Sequence, residues 1–423
     1  MSAFAARTAR ALALLSFALL SGALPSGALT AQDAVTVYRG ARVLGTGGDP
    51  VDDAVLVVAR GRVQSIGPAG AAIPAGARVV DVPGTTITPG LIDAAWDGGL
   101  GPNEQNEQGS EVTPAVRVLD GLDPEHPTFQ RARRAGVTTV HVMPGTRNVI
   151  GGLSAVLKTW APDPAAMVVR EEAVLRATLG AEPSMQNRAI RGGRVESMYY
   201  RRPTTRMGVI WEIRRSFYDA QEYMQRTADG GGAGESGDRG LEVLARVLQG
   251  TLPLVTTARS QQDLRTALRL AEEFGYTPIL DEAQDAHFVV DELQRAGVWV
   301  MVGAPSADSV AGMASVDGAE PRFSTLHKLA QANVPFVITT GTNGLALELV
   351  REATFACRFG LSRERALAAV TSLPAQLLQI ADRVGTLAPG KDADFVVWSA
   401  DPFDPTSRPL RVVVGGHDPS LEQ

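Results

Sequence analysis

Between Val35 and Val82, apolar residues fall on alternate positions in short runs. VTVYRG, AVLVVARG and RVQSIG are rich in β-branched side chains and are punctuated by Gly, Pro and Asp, which predicts antiparallel strands. From Ile87 to Ile380 the rhythm changes. VTTVHVM, TLPLVTT, YTPILD, VWVMVG and VPFVITT are short apolar strands, and between them lie amphipathic helices such as QDLRTALRLAEEFG and AHFVVDELQRAG. Strands alternating with helices predict a parallel sheet. The last segments, DADFVVWS and PLRVVVGG, return to isolated strands.

Three stretches break these rhythms. Arg7 and Arg10 precede an apolar run, Ala11 to Leu24, followed by Pro25 and small residues up to Ala31. This is the pattern of a secretory signal peptide, and the run is short of the ~20 residues a membrane span needs. It predicts removal of residues 1–31 and an exported, periplasmic or extracellular protein. Glu182 to Arg206 is rich in Arg, Met, Tyr and Gly, and Ala228 to Gly240 (ADGGGAGESGDRG) reads as a linker. No strand precedes that glycine run, so it carries little weight as a phosphate loop.

Composition narrows the class. The chain has 423 residues, 44% hydrophobic and 20% charged, with a net charge of -6 and both signs interspersed. No Lys/Arg run marks a nucleic-acid surface. Cys357 is the single cysteine, so no intrachain disulfide forms, and its apolar neighbours suit a structural thiol. The five histidines are His126, His141, His287, His327 and His417. His141, inside VTTVHVM, is read either as a satisfied structural imidazole or as a substrate-binding residue. Lys158 in LSAVLKTW is expected to be packed or salt-bridged. Trp160 and Trp211 read as core anchors.

Longer stretches resemble a known family. GARVLGTGGDPVDDAVLVVARGRVQSIG with VVDVPGTTITPGLID, then AGVTTVHVMPGTRNVIGGLSAVLK and RRPTTRMGVIWEIRRSFYDAQEY, and finally FGLSRERALAAVTSLPAQLLQIADRVGTLAPGKDADFVVWSADPFD, are similar to the amidohydrolase superfamily, in its imidazolonepropionase-like, periplasmic branch. The resemblance implies an α/β fold, a (β/α)₈ TIM barrel over 87–385, with a small β-sandwich formed by 33–86 and 386–416. In this reading the segment after VTTVHVM is a loop. The resemblance also implies hydrolysis of non-peptide carbon–nitrogen bonds at the carboxyl mouth of the barrel, where one or two zinc-like divalent metals lower the pKa of a bound water to about 7.

The family's ligands are a His-x-His pair after strand one, Lys or Glu after strand four, single His residues after strands five and six, and Asp after strand eight. The matching positions here are Ala95 and Asp97, then Thr257 (or Thr256), then Glu282 (or Asp281), then Asn343, and no histidine stands at any of them. Glu182 is the match for the strand-four carboxylate. Ala95 offers no donor atom, Thr257 a neutral hydroxyl and Asn343 an amide. No resident cofactor is therefore expected. Asp97, Glu182 and Glu282 remain weak candidates for a hard cation such as magnesium or calcium. Arg201, Arg202 and Arg206 are placed near the same mouth. Their guanidinium forks suit carboxylate or phosphate ligands, and equally suit bonds to loop carbonyls, so Arg206 joins Glu182 and His141 as a substrate-binding candidate. Trp96, beside Asp97, is placed to occlude the emptied site.

Two functions remain open. One is a metal-deficient, impaired hydrolase. The other is a non-catalytic binding protein, or the silent subunit of an active amidohydrolase, and ligand loss at four strand ends favours it. The expected partners are a small molecule, a second copy of the chain or an active paralogue. Nucleic acid is not expected, nor a membrane after signal cleavage.

Overall fold

The computed structural model describes residues 35–101, 104–185, 190–191, 194–195, 202–229, 238–303, 317, 322–341 and 349–421. Residues 1–31, read above as a signal peptide, Arg201, Asn343 and most of the glycine-rich linker lie outside the described residues. The fold is mixed α/β.

Strands β1 (Thr36–Val43), β2 (Val51–Ala59), β3 (Arg62–Gly67), β4 (Arg78–Asp81) and β5 (Thr86–Pro89) form one seven-stranded sheet with two strands from the other chain end. The β2–β3 loop is only Arg60 and Gly61, both at positive φ (53° and 72°). This is the mirror-image turn that matches the twist of a hairpin. β1 forks the sheet. Its first half pairs in parallel with β4 and its second half with β5, on either side of a bulge at Gly40, whose φ is 90°.

The inner strands are β6 (Leu91–Trp96), β7 (Val137–Val142), β8 (Ile150–Leu153), β9 (Ala155–Lys158), β10 (Val168–Arg170) and β11 (Leu175–Thr178), then, after a two-residue pair β12 (Ile190–Arg191) and β13 (Arg194–Val195), β14 (Leu254–Thr257), β15 (Pro278–Asp281), β16 (Trp299–Val302) and β17 (Phe336–Ile338). They make a four-stranded sheet, β10-β9-β7-β6, and a six-stranded sheet, β17-β16-β15-β14-β11-β8. β11, β14, β15, β16 and β17 run parallel in sequence order. β8 and β9 are one extended run broken at Ser154, and it lies antiparallel to both β7 and β11. The segment read as a loop is thus a strand linking the two sheets. Gly152 permits it, because a Cβ there would lie 2.4 Å from the Val116 carbonyl oxygen.

At the ends of the series, Asp93 of β6 accepts hydrogen bonds from the amide and hydroxyl of Thr340, just past β17. Strands such as β6, β7, β11, β14 and β15 are buried on both faces, as covered strands are. One large apolar cluster packs their outer side against helices such as Gln261–Phe274, which Ser260 caps and Gly275 ends in the left-handed conformation. A second cluster, with Ile92, Val156, Val255, Ile279, Met301 and Val337, lies on their other face.

The last strands, β18 (Phe395–Trp398) and β19 (Pro409–Val413), extend the first sheet through β5. Strands from both chain ends therefore share one sheet and its own core around Tyr38, Leu56, Ile87 and Phe395. Trp398 is fully buried, and its indole N–H donates to Thr88 Oγ1 at 2.9 Å. No helix among the described residues is long and apolar enough to cross a membrane.

Candidate functional site

The parallel ladders set three strand ends in a row. Thr178 of β11 is in register with Thr257 of β14, which is in register with Asp281 of β15. Two residues before Thr178, on the same face, stands Arg176. Its neighbours Leu175 and Ala177 point to the outer apolar cluster, so alternation sends the guanidinium inward. The side chain is 1% exposed. Nη2 donates to Asp281 Oδ2 at 2.6 Å, Nε and Nη2 donate to Thr257 Oγ1 at 3.2 and 3.0 Å, and Nη1 donates to the Pro144 carbonyl at 2.7 Å. A guanidinium so enclosed is tolerable only because its donors are met. Burial pushes the Asp281 carboxyl up to about 6, although Arg176 pulls the other way. Asp281 Oδ1 has no hydrogen-bond partner.

A second layer surrounds Arg259, which follows β14. Its guanidinium reaches Glu282 at 2.5 Å, Glu182 at 2.7 Å and Asp317 at 3.1 Å. Glu282 adopts φ of 52°, in the left-handed region that a side chain with a Cβ seldom takes. Glu182 also accepts from Thr146 Oγ1 at 2.9 Å. Asp317 accepts from Arg206 at 2.9 Å and from the Ala181 amide at 2.6 Å, and Arg206 pairs with Asp263 at 2.5 Å.

A third group lies at β6 and β7. His141 is fully buried. Its Nδ1–H donates to the Ala94 carbonyl at 2.7 Å, which fixes the tautomer, so Nε2 accepts from Ser154 Oγ at 2.7 Å. Burial lowers its pKa to about 4. Asp93 Oδ1 accepts from the Ala95 amide at 3.2 Å, and burial raises its carboxyl to about 7 against the pull of the Thr340 and Ala95 hydrogen bonds. Asp97, half-buried past the end of β6, adds a smaller like-charge push in the same direction.

The structure thus joins Thr257, Glu282, Glu182 and Arg206 in one charged network, sets Ala95 against Asp93 and holds His141 on the Ala94 carbonyl. Asn343 lies outside the described residues. Sequence reading missed the connecting residues Arg176, Arg259 and Asp317, and it ranked Asp281 second to Glu282. One signal was present for Arg176: a lone charge inside the apolar strand LRAT. Two aromatic expectations are corrected. Trp96 packs outward against Phe129, with ring centroids 5.0 Å apart, so it does not cover the site. Trp211 is 45% exposed between Arg202 and Arg215 and anchors no core. Lys158 is salt-bridged as expected, to Asp392 and Asp394. Among the described residues, no group of three or more His, Cys, Asp or Glu is placed to hold a metal ion.

Residues 265–417 match the family model described as Amidohydrolase family. The amidohydrolase tasK of Hapsidospora irregularis is 29% identical over 377 residues, covering 81% of this chain, and the chain spans 37% of that relative's length. Among solved structures, an amidohydrolase from Thermotoga maritima MSB8 is similar at 29% identity and a TM-score of 0.81, over 90% of this chain and 99% of that one. A molinate hydrolase, 19% identical with a TM-score of 0.58 over 92% and 95%, shares the fold. The neighbours are amidohydrolase-like, and that family is generally metal-dependent.

Proposed function

We propose that this chain is an exported member of the amidohydrolase family that binds rather than hydrolyses, because its own arginine fills the place of the catalytic metal. One observation carries this reading. The Arg176 guanidinium is held by Thr257 and Asp281, the first a position that the family resemblance gives to a metal-ligand histidine and the second the alternative to Glu282 for another, and Glu282 itself lies 3.8 Å away. The residues present do not fit a divalent ion. Thr257 Oγ1 and Asp281 Oδ2 already face a cation, and Ala95 has no donor. A divalent ion about 4 Å from that guanidinium is repelled by roughly 8 kcal/mol at an effective dielectric of ~20.

The inner strands are read as a (β/α)₈ barrel whose third strand is antiparallel, and the sheet from both chain ends as the small β-sandwich. The bond from Asp93 to Thr340 supports closure between β6 and β17. Arg7, Arg10 and the apolar run after them support export. A small molecule, a second copy of the chain or a ligand-complete amidohydrolase are the partners proposed for the mouth.

The hydrolase reading rests on the family likeness, and metal analysis of the purified full chain separates the two. The expected result is less than stoichiometric zinc, iron or manganese, with no turnover of a lactam, dipeptide and cyclic-imide panel before or after metal addition. A stoichiometric metal with hydrolysis of any panel member, lost on chelation and restored by metal, overturns the proposal.

A further inference from the structure

A second concavity shares no residue with the Arg176 and Arg259 network. It holds about 1120 Å³ and lies between the helix Pro127–Arg134, the helix Leu349–Arg358 and the segment after β18. That volume accommodates a whole small molecule. Its chemistry is two-sided. The walls include Phe355, Leu361, Trp398 and Phe403, with Phe403 buried at 5% exposure. Around them the lining carries six arginines and one carboxylate, Asp404. Arg363 is spoken for by Asp401 at 2.6 Å. Arg131, Arg134, Arg358 and Arg408 are exposed and have no ion-pair partner among the described residues. Ser407 Oγ, also in the lining, is buried without a hydrogen-bond partner.

An aromatic floor under four unpaired guanidinium groups complements one class of ligand. Guanidinium forks take carboxylate or phosphate oxygens in pairs, and the apolar wall takes a hydrocarbon body. A neutral lipid gains no charge pairing from the arginines, and a cation is repelled by them. We infer that this cavity binds an amphipathic anion, an acidic head group on an apolar chain, as a single free molecule. The helix Leu349–Arg358 presents Arg351, Thr354, Phe355 and Arg358 to it, at the three- and four-residue spacing of one helix face.

Cys357 lines the cavity and is the only thiol of the chain, so it reports occupancy at this place alone. The test titrates the full chain with dodecanoate below its micelle concentration by calorimetry, and follows alkylation of Cys357 by iodoacetamide. The expected results are saturable one-to-one binding, alkylation slowed by dodecanoate, and affinity that falls with added salt. Dodecanol and dodecyltrimethylammonium are expected to bind at least about tenfold more weakly, and the double variant Arg134→Ala, Arg358→Ala to lose about tenfold for dodecanoate. The inference is overturned if no saturable binding occurs, if dodecanol binds as well, or if the double variant binds unchanged. Binding only to phosphatidylglycerol vesicles makes the face a membrane contact and overturns it. So does a dimer in sedimentation that Phe355→Glu dissociates.

Discussion

Three buried side chains near the strand ends titrate with opposed consequences. An unfolded carboxyl titrates near ~3.9, whereas folded Asp93 does so at about 7. Between those values the folded chain holds a proton that the unfolded chain has released, so this contribution is complete at low pH and disappears as pH rises toward 7. Asp281, at about 6, acts in the same sense. His141, lowered to about 4 from ~6.5, acts in reverse: its neutral form belongs to the fold, and stability drops as pH falls between those values. Asp93→Asn keeps an acceptor for the Ala95 and Thr340 amides and removes the first titration. The wild type is therefore expected to lose stability relative to this variant as pH rises from about 4.5 to 7.5, read as urea midpoints across that range. A constant difference sinks the assignment. Arg176→Met removes the cation that Asp281 is bonded to, leaving Arg259 as a more distant one, and is expected to cost roughly 3–5 kcal/mol at neutral pH, less in acid, where Asp281 is protonated. Adding Asp281→Leu is expected to recover most of that loss in chemical denaturation. Failure of the second substitution to recover any of it shows that the pair is not the unit described.

Strands and helices divide by how much of them a single chain can announce. β2 and β3 were readable because both are runs rich in β-branched residues and Arg60–Gly61 marks the turn between them. The helix Gln261–Phe274 was readable from its spacing, Ser260 and Gly275. The run from Ile150 to Lys158 was not, because periodicity carries no strand direction and its pairing depends on partners far along the chain. Arg176 escaped for a related reason. In a strand covered on both sides, one polar position does not say which layer it faces. Family spacing singled out Thr257 and Glu282, but the arginines that meet them, Arg176 from β11 and Arg259 after β14, belong to no motif. The tight turn offers a direct check. A Cβ on Gly61, at φ of 72°, would stand 2.8 Å from the Gly415 carbonyl oxygen. Gly61→Ala is expected to cost on the order of 1–3 kcal/mol in thermal or urea unfolding. A neutral outcome means that the hairpin and the Gly415 turn shift apart without cost.

The inner strands and the sheet built from both chain ends meet at a buried charge cluster. Lys158, at the end of β9, is 4% exposed and contacts Asp392 at 3.1 Å and Asp394 more closely. Asp394 also accepts from the Gly415 amide at 2.7 Å, and Asp392 from Arg383 at 2.9 Å. One lysine thus holds the segment that leads into β18, and Tyr38 reaches Asp418 at 3.0 Å from the other end of the chain. Lysine at this place faces two carboxylates out of water; Asp392 shares Arg383 with it, whereas Asp394 has Lys158 as its one ion-pair partner among the described residues. Lys158→Met leaves Asp394 without a cation and Asp392 with Arg383 as its nearest one, and is expected to cost roughly 3–5 kcal/mol, with the loss concentrated where the two parts join. Hydrogen exchange should then speed up at β18 and β19 more than at β14 and β15, relative to the wild type. Adding Asp392→Asn and Asp394→Asn removes the stranded charges and should return most of the protection. If Lys158→Met instead loosens β14 and β15 to the same degree as β18, the terminal sheet and the inner strands fold as one unit that this lysine merely decorates.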